Sequence, residues 1–138
     1  MTEARKQYAV GMVFGVFDGF HPGHQHFLSE ALRRCQELIV VVARPEIVLT
    51  LKNRPPLFTL SERIGQIKSH YPTSQVIPGD SAIGTWSALR EYRPDIIFLG
   101  YDQKTLGKEL TAIGFPHSTI TAHYPDTYKS SLLHHSPL

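Results

Sequence analysis

The sequence predicts a three-layer, Rossmann-like α/β sandwich around a five-stranded parallel sheet, and three observations carry that prediction. Its strand candidates are continuous apolar runs rather than alternating ones, the pattern of strands buried on both faces. Helical patterns separate those runs in regular alternation. The length, 138 residues, suits one domain with one core, so residues 1–138 are expected to form a single unit.

Taken in order, residues 8–16 are apolar and aromatic and read as the first strand. Residues 22–35 follow as a helix, with Phe27, Leu28, Ala31, Leu32 and Cys35 on one stripe. Pro22 suits the first helical position, and Arg33 and Arg34 complement the dipole at the far end. Residues 38–43 (LIVVVA) form the second strand, and residues 44–54 read as a polar connection. Residues 59–70 are the second helix and residues 75–77 a short third strand. A third helix over 84–92 ends at the Arg93-Pro94 step. Residues 96–99 (IIFL) are the fourth strand, 103–113 a helix stopped by Gly114, and 119–122 the fifth strand. A short last helix is expected from Ser130.

Composition removes several function classes. The longest apolar runs span about half a dozen residues, against the ~20 needed to cross a bilayer. Residues 2–7 are polar and lack a secretory pattern, so a soluble, cytoplasmic protein without a membrane partner is expected. Formal charge is +2, and Lys and Arg are scattered instead of forming a basic stripe, so a nucleic-acid partner is not expected. Cys35 is the sole cysteine and can form neither an internal disulfide nor a cysteine-based zinc site.

Polar clusters follow the strands, where open α/β sheets bind ligands. The sharpest is GVFDGFHPGH at residues 15–24. His21 and His24 are three apart at a helix start, so their directions differ by about 60° around its axis. First-turn N–H groups, the positive end of the dipole and two imidazoles make an anion site. Gly23 removes a side chain, which would let a phosphate approach the backbone. His26 lies about 200° round the helix from His24, so a zinc site from the three histidines is rejected and no protein metal ligands are assigned. Trp86 is a candidate for stacking on a base or for packing its helix on the sheet, and neither P-loop nor dinucleotide fingerprint is present.

On these residues the chain resembles the cytidylyltransferase-like nucleotidyltransferases, whose hallmark is His-x-Gly-His after the first strand. GVFDGFHPGHQ is most similar to the flavin adenylyltransferases (FAD synthases), in particular the short, single-domain archaeal type. LIVVVAR (38–44), KNRPP (52–56), SER (61–63), RPDIIFLGYDQ (93–103) and YKSS (128–131) extend the resemblance over nearly the whole chain. Val16 stands where many relatives have Thr, and Pro45 where an acidic residue is common. The resemblance implies attack on the α-phosphate of a nucleoside triphosphate with release of pyrophosphate. That chemistry rests on in-line positioning and charge stabilisation.

By the same resemblance His21, His24, Lys52 and Lys129 are the candidate catalytic residues. Gly15, Val16, Phe17, Asp18, Gly23, Arg54, Arg63, Gly100, Asp102, Ser130 and Ser131 are candidates for nucleotide binding. An ordinary solvated loop competes for Lys52 and Arg54, and a simple helix cap for Asp102. Mg²⁺ is expected with the triphosphate, and a homodimer is the family's common state. The leading expectation is AMP transfer from ATP to FMN, giving FAD. Alternatives are a CTP-dependent enzyme acting on glycerol 3-phosphate or a similar phosphorylated alcohol, and a non-enzymatic nucleotide-binding domain.

Overall fold

The computed structural model describes residues 6–121, within which five strands and five helices follow one another. They are β1 (Tyr8–Gly15), α1 (Pro22–Arg34), β2 (Cys35–Val42), α2 (Pro45–Lys52) and α3 (Leu60–His70). After these come β3 (Gln75–Pro78), α4 (Ser87–Tyr92), β4 (Ile96–Gly100), α5 (Lys104–Ile113) and β5 (His117–Ile120). All strand pairings are parallel, in the order β3-β2-β1-β4-β5. The chain therefore winds outward from β1 to β3, then returns to lay β4 on the other side of β1.

Alternate strand residues divide the core into two layers, because successive Cβ atoms point to opposite faces. Val13, Leu38, Val40, Val42, Ile96 and Phe98 pack with Phe27, Leu28 and Ala31 of α1 and Ile67 of α3. Met12, Ile39, Val41, Ile97 and Leu99 pack on the other face with Ala88 and Leu89 of α4 and Leu110 of α5. The fold class expected from the sequence is the fold observed.

Several boundaries differ from the sequence expectation for identifiable reasons. Residues 44–54 contain a helix, α2, where a polar connection was expected. Pro45 occupies its first turn, Asn53 closes it in the left-handed region (φ +59°), and Val48 is buried. Leu49 and Leu51 stay exposed, so no clear one-sided stripe announces this helix. The helix expected over 84–92 begins only at Ser87, because Gly84 and Trp86 both take positive φ (+84° and +57°). Cys35 opens β2 directly after α1 with no intervening loop and is fully buried, and β5 lies two residues earlier than expected. Thr59 and Glu62 form a reciprocal capping box that starts α3.

Gly11, in the central strand, is where the packing is tightest against substitution. A Cβ there would lie 2.7 Å from a ring carbon of Phe98 and 3.0 Å from the Cys35 sulfur. Gly11→Ala should lower the unfolding free energy by about 1–3 kcal/mol. Denaturant titration checks this, and an unchanged midpoint would show that the sheet relaxes around the methyl group.

Candidate active site

The first loop is held by its own hydrogen bonds and buried side chains. Phe17 leaves β1 in the left-handed region (φ +52°) with its side chain fully buried, and Gly19 takes a second positive φ (+74°). His21 then caps α1 from an extended conformation (φ −100°, ψ 173°). Its Nδ1 accepts from the Gly23 N–H at 3.1 Å, while the His21 N–H donates to His24 Nδ1 at 3.3 Å. The imidazoles stack with centroids 3.6 Å apart. In a neutral ring whose Nδ1 accepts, the proton sits on Nε2, so both histidines are set as Nε2–H donors. His24 is buried beneath this stack, with Phe17 edge-on at 5.3 Å and Phe20 nearly parallel at 6.0 Å.

Two of the nucleotide-binding candidates have structural partners here. The Gly23 N–H donates to His21. Phe17 is a core residue that shapes the loop and backs His24.

Asp18 and Arg63 likewise hold the loops together. Asp18 accepts from the Leu57 and Phe58 N–H groups at 2.8 and 2.9 Å, tying the first loop to the segment after α2. Arg63 is 0% exposed. Its Nη1 donates to the carbonyls of Val16 (3.0 Å) and Ala43 (2.7 Å), and its Nε to that of Phe58 (3.1 Å). It therefore clamps the chain just beyond β1 and β2, while its buried Nη2 makes no hydrogen bond within the described residues. Burial lowers the Arg63 pKa, and the Asp18 carboxylate partly opposes this.

Lys52, at the end of α2, is half-buried, while Arg54 is exposed. Desolvation and then the nearby Arg54 lower the Lys52 pKa, against the pull of Asp18 and Asp102. The cap position of α5 is taken by Gln103, not Asp102, and the Gln103 side chain makes no cap bond. Lys52 and Asp102 instead line one cleft of about 480 Å³ together with the backbone edge at Gly15 and Val16. Phe14, Val41 and Ile77 contribute apolar surface from the strands, and Trp86 a wall. Trp86 meets Phe14 edge-to-face at 5.9 Å, so it both packs on the sheet and faces the cleft.

The sequence reading missed Gln103. The β1–β4 ladder is registered only at Gly11↔Ile96 and Met12↔Ile97, leaving the strand ends beyond it without partners from each other. The Gln103 amide fills that gap: Oε1 accepts from the Gly100 N–H at 2.9 Å, and Nε2 donates to the Phe14 carbonyl at 2.8 Å. Gly100, expected at the nucleotide, is buried, with its N–H in this clasp. The signal available was a side-chain amide three residues beyond a strand end at the switch point of the sheet. His26 approaches the Thr121 carbonyl at 3.4 Å, and no group of three His, Cys, Asp or Glu among the described residues could hold a metal ion. Lys129, Ser130 and Ser131, with the last helix expected there, lie outside the described residues.

A family model described as cytidylyltransferase-like matches residues 12–129. The chain belongs to the cytidylyltransferase-like family. Among its cytidylyltransferase-like relatives is a protein named FAD synthase from Pyrococcus abyssi, 35% identical over 117 residues, covering 82% of this chain and 79% of that protein. Another of the same name, from Aciduliprofundum boonei, is 41% identical over 99 residues, covering 72% of this chain and 65% of the relative. A solved structure described as a lipopolysaccharide core biosynthesis protein from Thermoplasma volcanium is similar with TM-score 0.69 and 31% identity. That similarity covers 86% of this chain and 99% of the other.

Arg63→Met should destabilise the protein by at least about 3 kcal/mol, since three carbonyls lose their donor at ~1–3 kcal/mol each. Guanidinium unfolding measures this. A loss under 1 kcal/mol, about the worth of one ordinary hydrogen bond, would show that water replaces the clamp.

Proposed function

We propose that this chain is an FMN adenylyltransferase that transfers AMP from ATP to FMN, giving FAD and pyrophosphate. The observation that carries this reading is the match, over most of the chain, to archaeal proteins named FAD synthase. The cleft supports it. Its volume falls in the range for compact organic ligands, and its Phe14, Val41, Ile77 and Trp86 surfaces suit a flat, fused ring. A phosphorylated glycerol would leave that apolar surface unused.

In this reading an FMN phosphate oxygen attacks the α-phosphorus of ATP in line. The bond from that phosphorus to the bridging oxygen breaks, and pyrophosphate leaves with the electron pair. His21 and His24 donate from Nε2 to triphosphate oxygens as negative charge moves toward the leaving group. Lys52, which lines the cleft and interacts electrostatically with Asp18 of the first loop, draws in the FMN phosphate. Arg54 adds positive charge nearby, and Asp102 orients Lys52. Lys129, Ser130 and Ser131 complete the phosphate site by resemblance to the family motif. Mg²⁺ enters as part of the substrate, carried by triphosphate oxygens. A cytoplasmic location, where ATP and FMN are both available, fits this chemistry. No helix among the described residues is long and apolar enough to cross a membrane.

Pyrophosphate release with ATP and FMN tests the reading against CTP with glycerol 3-phosphate. Turnover is expected only with the first pair, and turnover only with the second would overturn the assignment. His21→Asn separates the two duties of that residue, because Asn caps helices well but lacks Nε2. The variant should unfold within about 1 kcal/mol of the parent yet lose about 10²–10³ in kcat. Equal losses of stability and rate would assign His21 to architecture alone. The lowered Lys52 pKa has a definite sign: its cationic form is lost at a lower pH than in an ordinary lysine. KM for FMN should therefore rise on the alkaline side, and Lys52→Arg should shift that rise to higher pH. A KM profile that Lys52→Arg leaves in place would remove Lys52 from phosphate binding.

A further inference from the structure

The charges lining the cleft are one-sided. Against Lys52 in its lining stand four carboxylates: Asp80, Glu91, Asp102 and Glu109. Asp80 is engaged locally, accepting from the Ser87 N–H at 2.9 Å and from the Thr85 hydroxyl. Asp102 and Lys52 act on one another electrostatically. The remaining two have no such compensation, since neither Glu91 nor Glu109 makes a hydrogen bond or ion pair with the described residues. They stand on α4 and α5, the helices that cover this face of the sheet, and both are exposed residues of the cleft lining.

An apolar cleft whose lining carries two carboxylates without bonded partners favours a ring that is neutral and carries an N–H donor. It disfavours a ring that carries negative charge. The two oxidation states of a flavin differ in that respect. Oxidised isoalloxazine is neutral and presents its imide N3–H. The two-electron-reduced ring readily loses the N1 proton near neutral pH and becomes an anion.

We propose that this cleft selects the oxidised form of the flavin acceptor, with Glu91 and Glu109 as its specificity-determining residues. One carboxylate accepts from the imide N–H, and the second repels the reduced anion by its charge. The phosphate end lies toward Lys52 and the first loop, and the ring toward α4 and α5. The inference rests on the FMN adenylyltransferase reading and adds to it the redox form of the substrate.

The test measures FAD formation under argon from oxidised and from chemically reduced FMN at fixed ATP and Mg²⁺, with products separated after re-oxidation. KM for reduced FMN should exceed that for oxidised FMN by about tenfold or more. The double variant Glu91→Gln, Glu109→Gln should bring that ratio to within about threefold of one, because glutamine keeps an acceptor oxygen without the charge. Glu37→Gln, on an exposed position near the opposite end of β2, should leave the ratio as it is in the parent. A ratio of one in the parent, or a ratio that survives the double substitution, overturns this inference and leaves the FMN reading standing. Absence of FAD from both forms overturns the FMN reading and this inference with it.

Discussion

The site depends on two crossed hydrogen bonds at the start of α1. His21 accepts from Gly23 through Nδ1, and His24 accepts from the His21 N–H through its own Nδ1. A helix start ordinarily leaves several N–H donors to find partners, and a Ser, Thr or Asp cap satisfies one of them. Here imidazoles do that work, which fixes ring orientation and tautomer in one step. In the proposed reaction the Nε2–H groups of these fixed rings are the donors to the triphosphate. A serine cap would stabilise the same helix and offer nothing beyond it.

That arrangement requires a rigid loop, and buried polar side chains supply the rigidity. Arg63 joins the carbonyls beyond β1 and β2 to the start of α3, and Asp18 joins the first loop to the segment preceding α3. Gln103 closes the seam where β1 and β4 part. At a topological switch point the backbone ladder ends and leaves groups that need partners, and the same gap makes the crevice where ligands enter. Side-chain clamps resolve both demands, because they satisfy the strand ends without covering the cleft. Several polar residues on the carboxyl edge are thus architectural supports of the first loop and the cleft.

How much of this could be read from the sequence follows from the kind of signal each part carries. The sheet was legible because buried parallel strands leave unbroken apolar runs such as Leu38 to Val42, and α1 was legible from its stripe and Pro22. The short α2 was not, since Leu49 and Leu51 point outward and blur its periodicity. The false start of α4 came from Gly84 and Trp86, whose positive φ values no composition rule reveals. The histidine pair could be located from its spacing and its place after β1. Its hydrogen bonding could not, because whether an N–H faces a ligand or a neighbouring ring depends on φ and ψ at one residue. The backbone bonds of Arg63 and Asp18 were illegible for a related reason: a charged residue in a family motif has the same letter whether or not it also binds the backbone of a distant loop. Gln103 was overlooked because its partners, Phe14 and Gly100, come together only once β4 lies beside β1.

The tautomer of the two histidines is the most direct measure of this account. Long-range ¹⁵N–¹H correlation spectra of histidine-labelled protein, assigned with His21→Asn and single replacements of the other histidines, report which ring nitrogen bears the proton. For both His21 and His24 the account requires the proton on Nε2 and an unprotonated, hydrogen-bonded Nδ1 at neutral pH. A proton on Nδ1 of either ring would contradict it, since that ring could no longer accept from the backbone and its orientation toward the anion site would have to be set by something else.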